Sequence, residues 1–223
     1  MNWANRHYTD FELLRVDGHT MLETDRIDGI AVEGSITMNL NTQIKQSGSM
    51  KALRSIDFGD DLIRIYANVE DYDGNSERVA LATLLAVTPK RAIAGASVQG
   101  DIDLLSVLQR AADDATESVL TIPAGTDTVP YAANLLRSAG LTVQAESSTS
   151  KLTNAWTYDA GESKLKVANE LLDYANFSSA GVDGMGNVIL RRYTSPSGQA
   201  PVHTFRDDEA SLIVAGSITD EYD

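Results

Sequence analysis

The run Leu62-Ile63-Arg64-Ile65-Tyr66-Ala67-Asn68-Val69 places Arg64 and Tyr66 on one side and Ile63 and Ile65 on the other. That period of two is the signature of an extended strand, whose successive side chains point to opposite faces. A second run, Arg78 to Val87, is apolar and stops at Thr88-Pro89. Between them stands Asp71-Tyr72-Asp73-Gly74-Asn75-Ser76-Glu77, a segment of residues that turn the chain. Two strands about such a turn form an antiparallel pair. Phe11 to Val16, ending at the turn signal Asp17-Gly18, and the alternating Ile36 to Leu40 add further strands. Short strands at this spacing predict an antiparallel barrel or sandwich, placed at residues 8–98.

The second half changes period. Asp101 is placed to cap a helix carrying Leu104, Leu105, Leu108 and Ala111 or Ala112. Thr128 to Ser138 reads as a second helix, with Asp127 or Thr126 as its cap, Pro130 in its first turn and Gly140 where the chain leaves it. Ser163 to Asn176 is the third, with Ser163 as cap and Leu165, Ala168, Asn169, Leu172 and Ala175 as its inner stripe. Ser178 to Val182 and Val188 to Arg192 flank Asp183-Gly184-Met185-Gly186-Asn187, which reads as a hairpin. Glu146 to Ser150 is a polar surface loop, and no internal repeat is visible. The fold class is therefore α+β: an antiparallel, barrel-like β domain at 8–98, then a mixed α+β domain at 99–215, with 216–223 as a terminal segment.

Composition narrows the chemistry. The 223 residues hold 32 acidic against 18 basic side chains, a formal net charge of −14. Such a surface repels phosphate backbones, so specific nucleic-acid recognition is not expected. The absence of cysteine removes disulfides, thiolate metal sites and thiol nucleophiles together. No stretch reaches the ~20 apolar residues of a membrane span, and Met1 to Tyr8 shows no apolar core of a secretory signal.

Acid–base or nucleophilic catalysis needs a titrating base held by a partner. His7, His19 and His203 are dispersed, and none stands in a metal-binding spacing. The acidic pairs Asp60-Asp61, Asp113-Asp114 and Asp207-Asp208-Glu209 read as solvated surface in so acidic a chain. No catalytic residue and no cofactor is expected. One weak metal candidate remains: Asp71, Asp73, Asn75 and Glu77 alternate as oxygen ligands, although Gly74 comes too early for an EF-hand loop. The simpler reading of the same segment is a polar hairpin turn. Trp3 and Trp156 are the candidate interface anchors, with core packing as the simpler role.

Several segments in order carry a family resemblance. They are Leu81 to Arg91, Val98 to Leu105, Thr121 to Thr126, Leu135 to Leu141, Trp156, Ala160 to Leu165, Asn169 to Leu172, Val182 to Asn187, Tyr193 to Pro196, Asp207 to Ser211 and Thr219 to Asp223. This order resembles the minor tail proteins of siphophages infecting Gram-positive bacteria, the tail-associated hub family. The resemblance spans most of residues 60–223. It implies a non-enzymatic virion protein of the tail tip or baseplate hub, assembled in the host cytoplasm. It also implies a homotrimeric ring that closes or extends the tail tube, with the distal tail protein and tape measure as neighbours. Relatives commonly continue past Asp220-Glu221-Tyr222-Asp223 into a second tube domain, which leaves two tube domains within this subunit in doubt. Two other readings stay open: a host-surface or carbohydrate-binding module, against which the 6% aromatic content counts, and a cell-wall hydrolase.

Overall fold

The computed structural model describes residues 7–28, 30–52, 56–87, 92–94, 97–195 and 197. The chain divides into a large compact unit, Met1–Tyr193, and a small one, Thr194–Asp223. All the elements below lie in the first, and the terminal segment 216–223 falls outside the described residues.

Eight strands build one antiparallel sheet: β1 (His7–Val16), β2 (Glu23–Arg26), β3 (Ile30–Met38), β4 (Gln46–Ala52), β5 (Leu62–Asp71), β6 (Ser76–Ala86), β7 (Ala92–Ala94) and β8 (Ser97–Ser106). Their order is β2-β1-β5-β6-β8-β4-β3, with β7 paired to β8 off this path. The two ends of the path, β2 and β3, are consecutive in the chain and separated only by residues 27–29. That link spans at most ~14 Å. A flat sheet would hold the two strands about 29 Å apart, six inter-strand spacings. The sheet must therefore curl. Leu13 of β1 and Ile36 of β3 duly pack on one cluster, formed by Met50, Ile63, Ile65, Ala82, Leu84, Ile102 and Leu104 with Phe58. This is the barrel-like β region expected from the alternating runs.

The helix expected from Asp101 is a strand as far as Ser106. Only α1 (Gln109–Asp113) is helical there. Ile102 and Leu104 are both buried and alternate with the exposed Asp103, a period of two. β8 also has a sheet neighbour on each side, with Leu105 opposite Leu85 of β6 and opposite Ser47 of β4. Ladder bonds and burial on this strand outweigh a weak helical spacing.

The α+β region contains β9 (Leu120–Ile122), α2 (Thr128–Ser138), β10 (Val143–Ala145), β11 (Trp156–Tyr158), α3 (Lys164–Tyr174), β12 (Gly181–Val182) and β13 (Val188–Leu190). α2 has the expected bounds, with Asp127 at its N-cap, though the Asp127 side chain makes no capping bond. Ser163 does cap α3, accepting from the Lys166 amide. Leu165, Ala168 and Leu172 face the core as expected, joined by Val167 and Leu171.

An internal repeat is present, contrary to the sequence reading. Thr121 and Thr157, 36 positions apart, face each other across the β9–β11 pair with hydroxyls 3.4 Å apart. The same offset relates Gly125 to Gly161, Asp127 to Ser163, α2 to α3, and Gly140 to Asn176, where both chains turn through positive φ. Backbone bonds repeat with it. Gly125 donates to Leu152 and Gly161 to Thr116; Thr128 donates to Ser150 and Lys164 to Asp114. Residues 114–141 and 150–177 are two copies of one unit about a pseudo-two-fold axis. The β12–β13 hairpin has no counterpart in the first copy.

Candidate functional site

Two turns share one design. In Asp71-Tyr72-Asp73-Gly74-Asn75 and in Asp183-Gly184-Met185-Gly186-Asn187, the amide of the first Asp donates to the carbonyl of the last Asn, and the Asp carbonyl accepts from the amide of Gly74 or Gly186. The Asp carboxylate accepts from the Asn amide N–H, at 2.9 Å in the first turn and 2.8 Å in the second. It also accepts from the Asn side-chain nitrogen, at 2.9 Å in both. Gly74 and Gly186 take φ of 81° and 84°, a left-handed geometry that glycine adopts without strain.

The four weak metal candidates, Asp71, Asp73, Asn75 and Glu77, sit in or beside the first turn. Asp71 spends its oxygens on Asp73 and Asn75, and Asn75 turns its nitrogen toward that carboxylate. These donors, Asn75 foremost, hold the Asp71 carboxyl below the usual carboxylate range. Glu77 lies in β6 opposite Val69. Among the described residues, no group of three or more His, Cys, Asp or Glu gathers as metal ligands.

The second turn docks on the β sheet. Its socket is built by β5, β6 and β2. A bulge in β6 leaves Leu81 unpaired between Ala80 and Ala82, and the tip meets the strand there. Arg64, only 2% exposed, donates to the Thr83 hydroxyl at 2.9 Å, to Glu23 at 2.8 Å and to the Met185 carbonyl at 2.9 Å. Thr83 in turn donates to the Gly184 carbonyl at 2.8 Å. The Tyr66 hydroxyl donates to Glu23 at 2.6 Å, and the Arg78 guanidinium lies 3.5 Å over the Tyr66 ring. Bonds from Tyr66 and then Arg64 hold the Glu23 carboxyl below its usual range, while burial pushes the Tyr66 phenol up.

Further contacts make the junction broad. Lys45 donates to the Ser179 carbonyl, Gln46 to Val182, and Arg110 to Gly18 and Asp60. Val16 and Leu62 of the sheet belong to the same apolar cluster as Leu136, Leu165 and Leu172. Sheet and α+β region thus share one core.

Trp156 is half-buried on β11 and packs edge-on to Tyr174, with ring centroids 5.3 Å apart, and to Tyr158. Trp3, the other candidate anchor, lies outside the described residues. Exposed apolar side chains also stand on the large sheet. Tyr8 and Phe11 on β1 are 69% and 56% exposed; Met38 and Leu40, at the tip of the β3–β4 arm, are 58% and 81% exposed. The sequence reading missed this set, along with Arg64 and Glu23.

No family model matches the chain, and no characterised protein matches it by sequence. Solved structures do match. A tail protein from Neisseria meningitidis MC58 aligns with a TM-score of 0.55 at 10% identity, over 81% of this chain and 50% of its own. The prophage MuSo2 43 kDa tail protein from Shewanella oneidensis gives 0.53 at 12%, over 82% and 53%. The chain has the fold of phage tail proteins. A chain of the Francisella PdpA–VgrG complex also matches, with a TM-score of 0.52 at 10% identity, over 83% of this chain and 31% of its own. The chain spans about half the length of the two tail proteins.

Proposed function

We propose that the chain is a structural subunit of a phage tail tip, a ring-forming baseplate hub protein. In this reading it assembles as a homotrimer, closes or extends the tail tube, and anchors the neighbouring tail-tip proteins. The observation that carries the reading is the curled antiparallel sheet with its docked α+β region, an arrangement matched by two phage tail proteins over four-fifths of the chain. The division into a β module and an α+β module belongs to the same proposal, with the shared core as their fixed junction.

The protein works in this reading by shape and docking, without bond-making chemistry. Its engaged polar groups support that. Arg64, Glu23, Tyr66 and Thr83 are tied into the junction, and Asp71 and Asp183 into their turns. Groups bonded in this way hold geometry and are poorly placed to transfer protons.

Light scattering and electron microscopy of the purified chain, alone and mixed with the distal tail protein of the same phage, test the proposal. A ring that binds the distal tail protein is expected. A monomer at tens of micromolar that binds no tail component would overturn it.

A further inference from the structure

The 36-residue repeat supplies its own control. Both copies build the same frame, so positions where they differ show what that frame does not require. Four differences gather in the second copy. Trp156 stands where the first has Leu120, Tyr158 where it has Ile122, Glu170 where it has Asn134, and Tyr174 where it has Ser138. The first copy keeps its frame with aliphatic and neutral polar side chains at these places; the second has three aromatic rings and a carboxylate.

The four form one corner. The Trp156 ring lies 5.3 Å from Tyr174 at 84° between planes, and 6.5 Å from Tyr158 at 69°. The Tyr174 hydroxyl accepts from the Thr153 amide and donates to the Thr153 hydroxyl, each at 3.1 Å, so this 38% exposed ring is held in place. Glu170 is exposed and stands one turn before Tyr174 on the same face of α3. It lies beside the Tyr158 phenol, which burial first and then this carboxylate push up. The enclosed Tyr158 hydroxyl makes no full hydrogen bond, so Glu170 keeps acceptor capacity for a partner.

We propose that this corner binds the guanidinium of an arginine presented by a partner protein. Aromatic faces attract a cation, and a carboxylate beside them accepts its N–H groups. The chain shows the same arrangement filled elsewhere. Arg78 lies 3.5 Å over the Tyr66 ring and pairs with Glu12; Arg15 lies 5.4 Å over Phe58 and pairs with Asp61. Among the described residues, no arginine lies over Trp156 or Tyr174. Charge assigns the cation to a different protein. Arg15, Arg64, Arg78, Arg110 and Arg137 are already bonded within the chain. A formal charge of −14 makes two copies repel and draws in a basic partner. The inference goes beyond the tail-tip reading and does not depend on it.

Trp3→Phe leaves Trp156 as the sole tryptophan, and its fluorescence is the readout. That chain is titrated at constant ionic strength with acetyl-Gly-Arg-Gly-amide, with the same peptide carrying uncharged citrulline, with choline chloride and with N-acetylglucosamine. A saturable response to the arginine peptide at millimolar concentration is expected, and none to the citrulline peptide. Glu170→Asn and Tyr174→Ser each install the residue that the first copy carries. Each is expected to weaken the response about ten-fold, the loss of one carboxylate or ring contact to the cation. No response to the arginine peptide, or an equal one to citrulline, would overturn the proposal without recourse to any destabilised variant. Tighter binding of choline or N-acetylglucosamine would assign the corner to a small ligand and overturn it too, as would a response that both variants retain in full.

Discussion

The hairpins Asp71–Asn75 and Asp183–Asn187 have the same bonds, and their tips have opposite fates. Tyr72 at the first tip is 84% exposed. Its counterpart in the second is Gly184, where an added Cβ would lie 2.0 Å from the Ala80 carbonyl oxygen. The local turn is set by Asp, Gly and Asn in both. What differs is the pair of residues between, and that pair decides whether the tip is solvated or becomes part of a junction. A turn motif therefore specifies shape, and its tip residues specify partner.

The largest effect should follow from removing the residue that only the docked hairpin uses. Arg64→Ala leaves Glu23 without its guanidinium and the Met185 carbonyl without its donor, inside a nearly closed socket. A loss of about 3 kcal/mol is expected, read as the shift in urea midpoint. A shift no larger than that of an exposed substitution would show that the hairpin does not depend on this socket.

Gly184→Ala comes next. Backbone cannot yield as a flexible side chain can, so about 2 kcal/mol is expected, whereas Tyr72→Ala at the matching position should stay within about 0.5 kcal/mol. The glycines at positive φ sharpen the contrast. Gly74→Ala meets nothing within 4 Å and should cost the left-handed strain alone, about 1 kcal/mol. Gly186→Ala carries that strain and also meets Met21 Cε at 2.8 Å and Thr83, so its loss should be the greater of the two. Equal losses would mean that Met21 and Thr83 give way freely.

Much of this was legible in the sequence where period and turn chemistry agreed. The Leu62–Val69 strand, the bounds of α2, the Ser163 cap and both turns follow from local patterns. Asp101 to Ala112 misled because Leu104, Leu105 and Leu108 also suit a helix, and only the flanking strands decide between the periods. The 36-residue repeat was hidden because its identities are few. They are Thr121/Thr157, Ala124/Ala160, Gly125/Gly161, Ala132/Ala168, Leu135/Leu171, Leu136/Leu172 and Ala139/Ala175, mostly small or apolar residues that recur by chance in any helix. Arg64 gave no signal of burial, since a strand arginine is ordinarily solvated; its partner Glu23 lies on β2, far away in sequence.

The smallest effect concerns acid. The Asp71 carboxyl is held below 3.8, its ordinary value, chiefly by bonds from Asn75, and Glu23 below 4.5 by Tyr66 and Arg64. A carboxyl with a depressed folded pKa stabilises the fold above its unfolded value. It loses that contribution as pH falls through the folded one. Between pH 7 and 5 both contributions are complete, so neither should make the melting temperature vary; below about pH 4 both should fade. Asp71→Asn removes the charge in the free turn alone and should flatten part of that acid slope, while Glu23→Gln should flatten the part that belongs to the docked junction. Melting curves of the three proteins from pH 6 to 2.5 separate them. If Asp71→Asn leaves the slope unchanged, the free turn is held by its backbone bonds and glycine alone, and the shared Asp–Asn design has energetic weight only where the hairpin is docked.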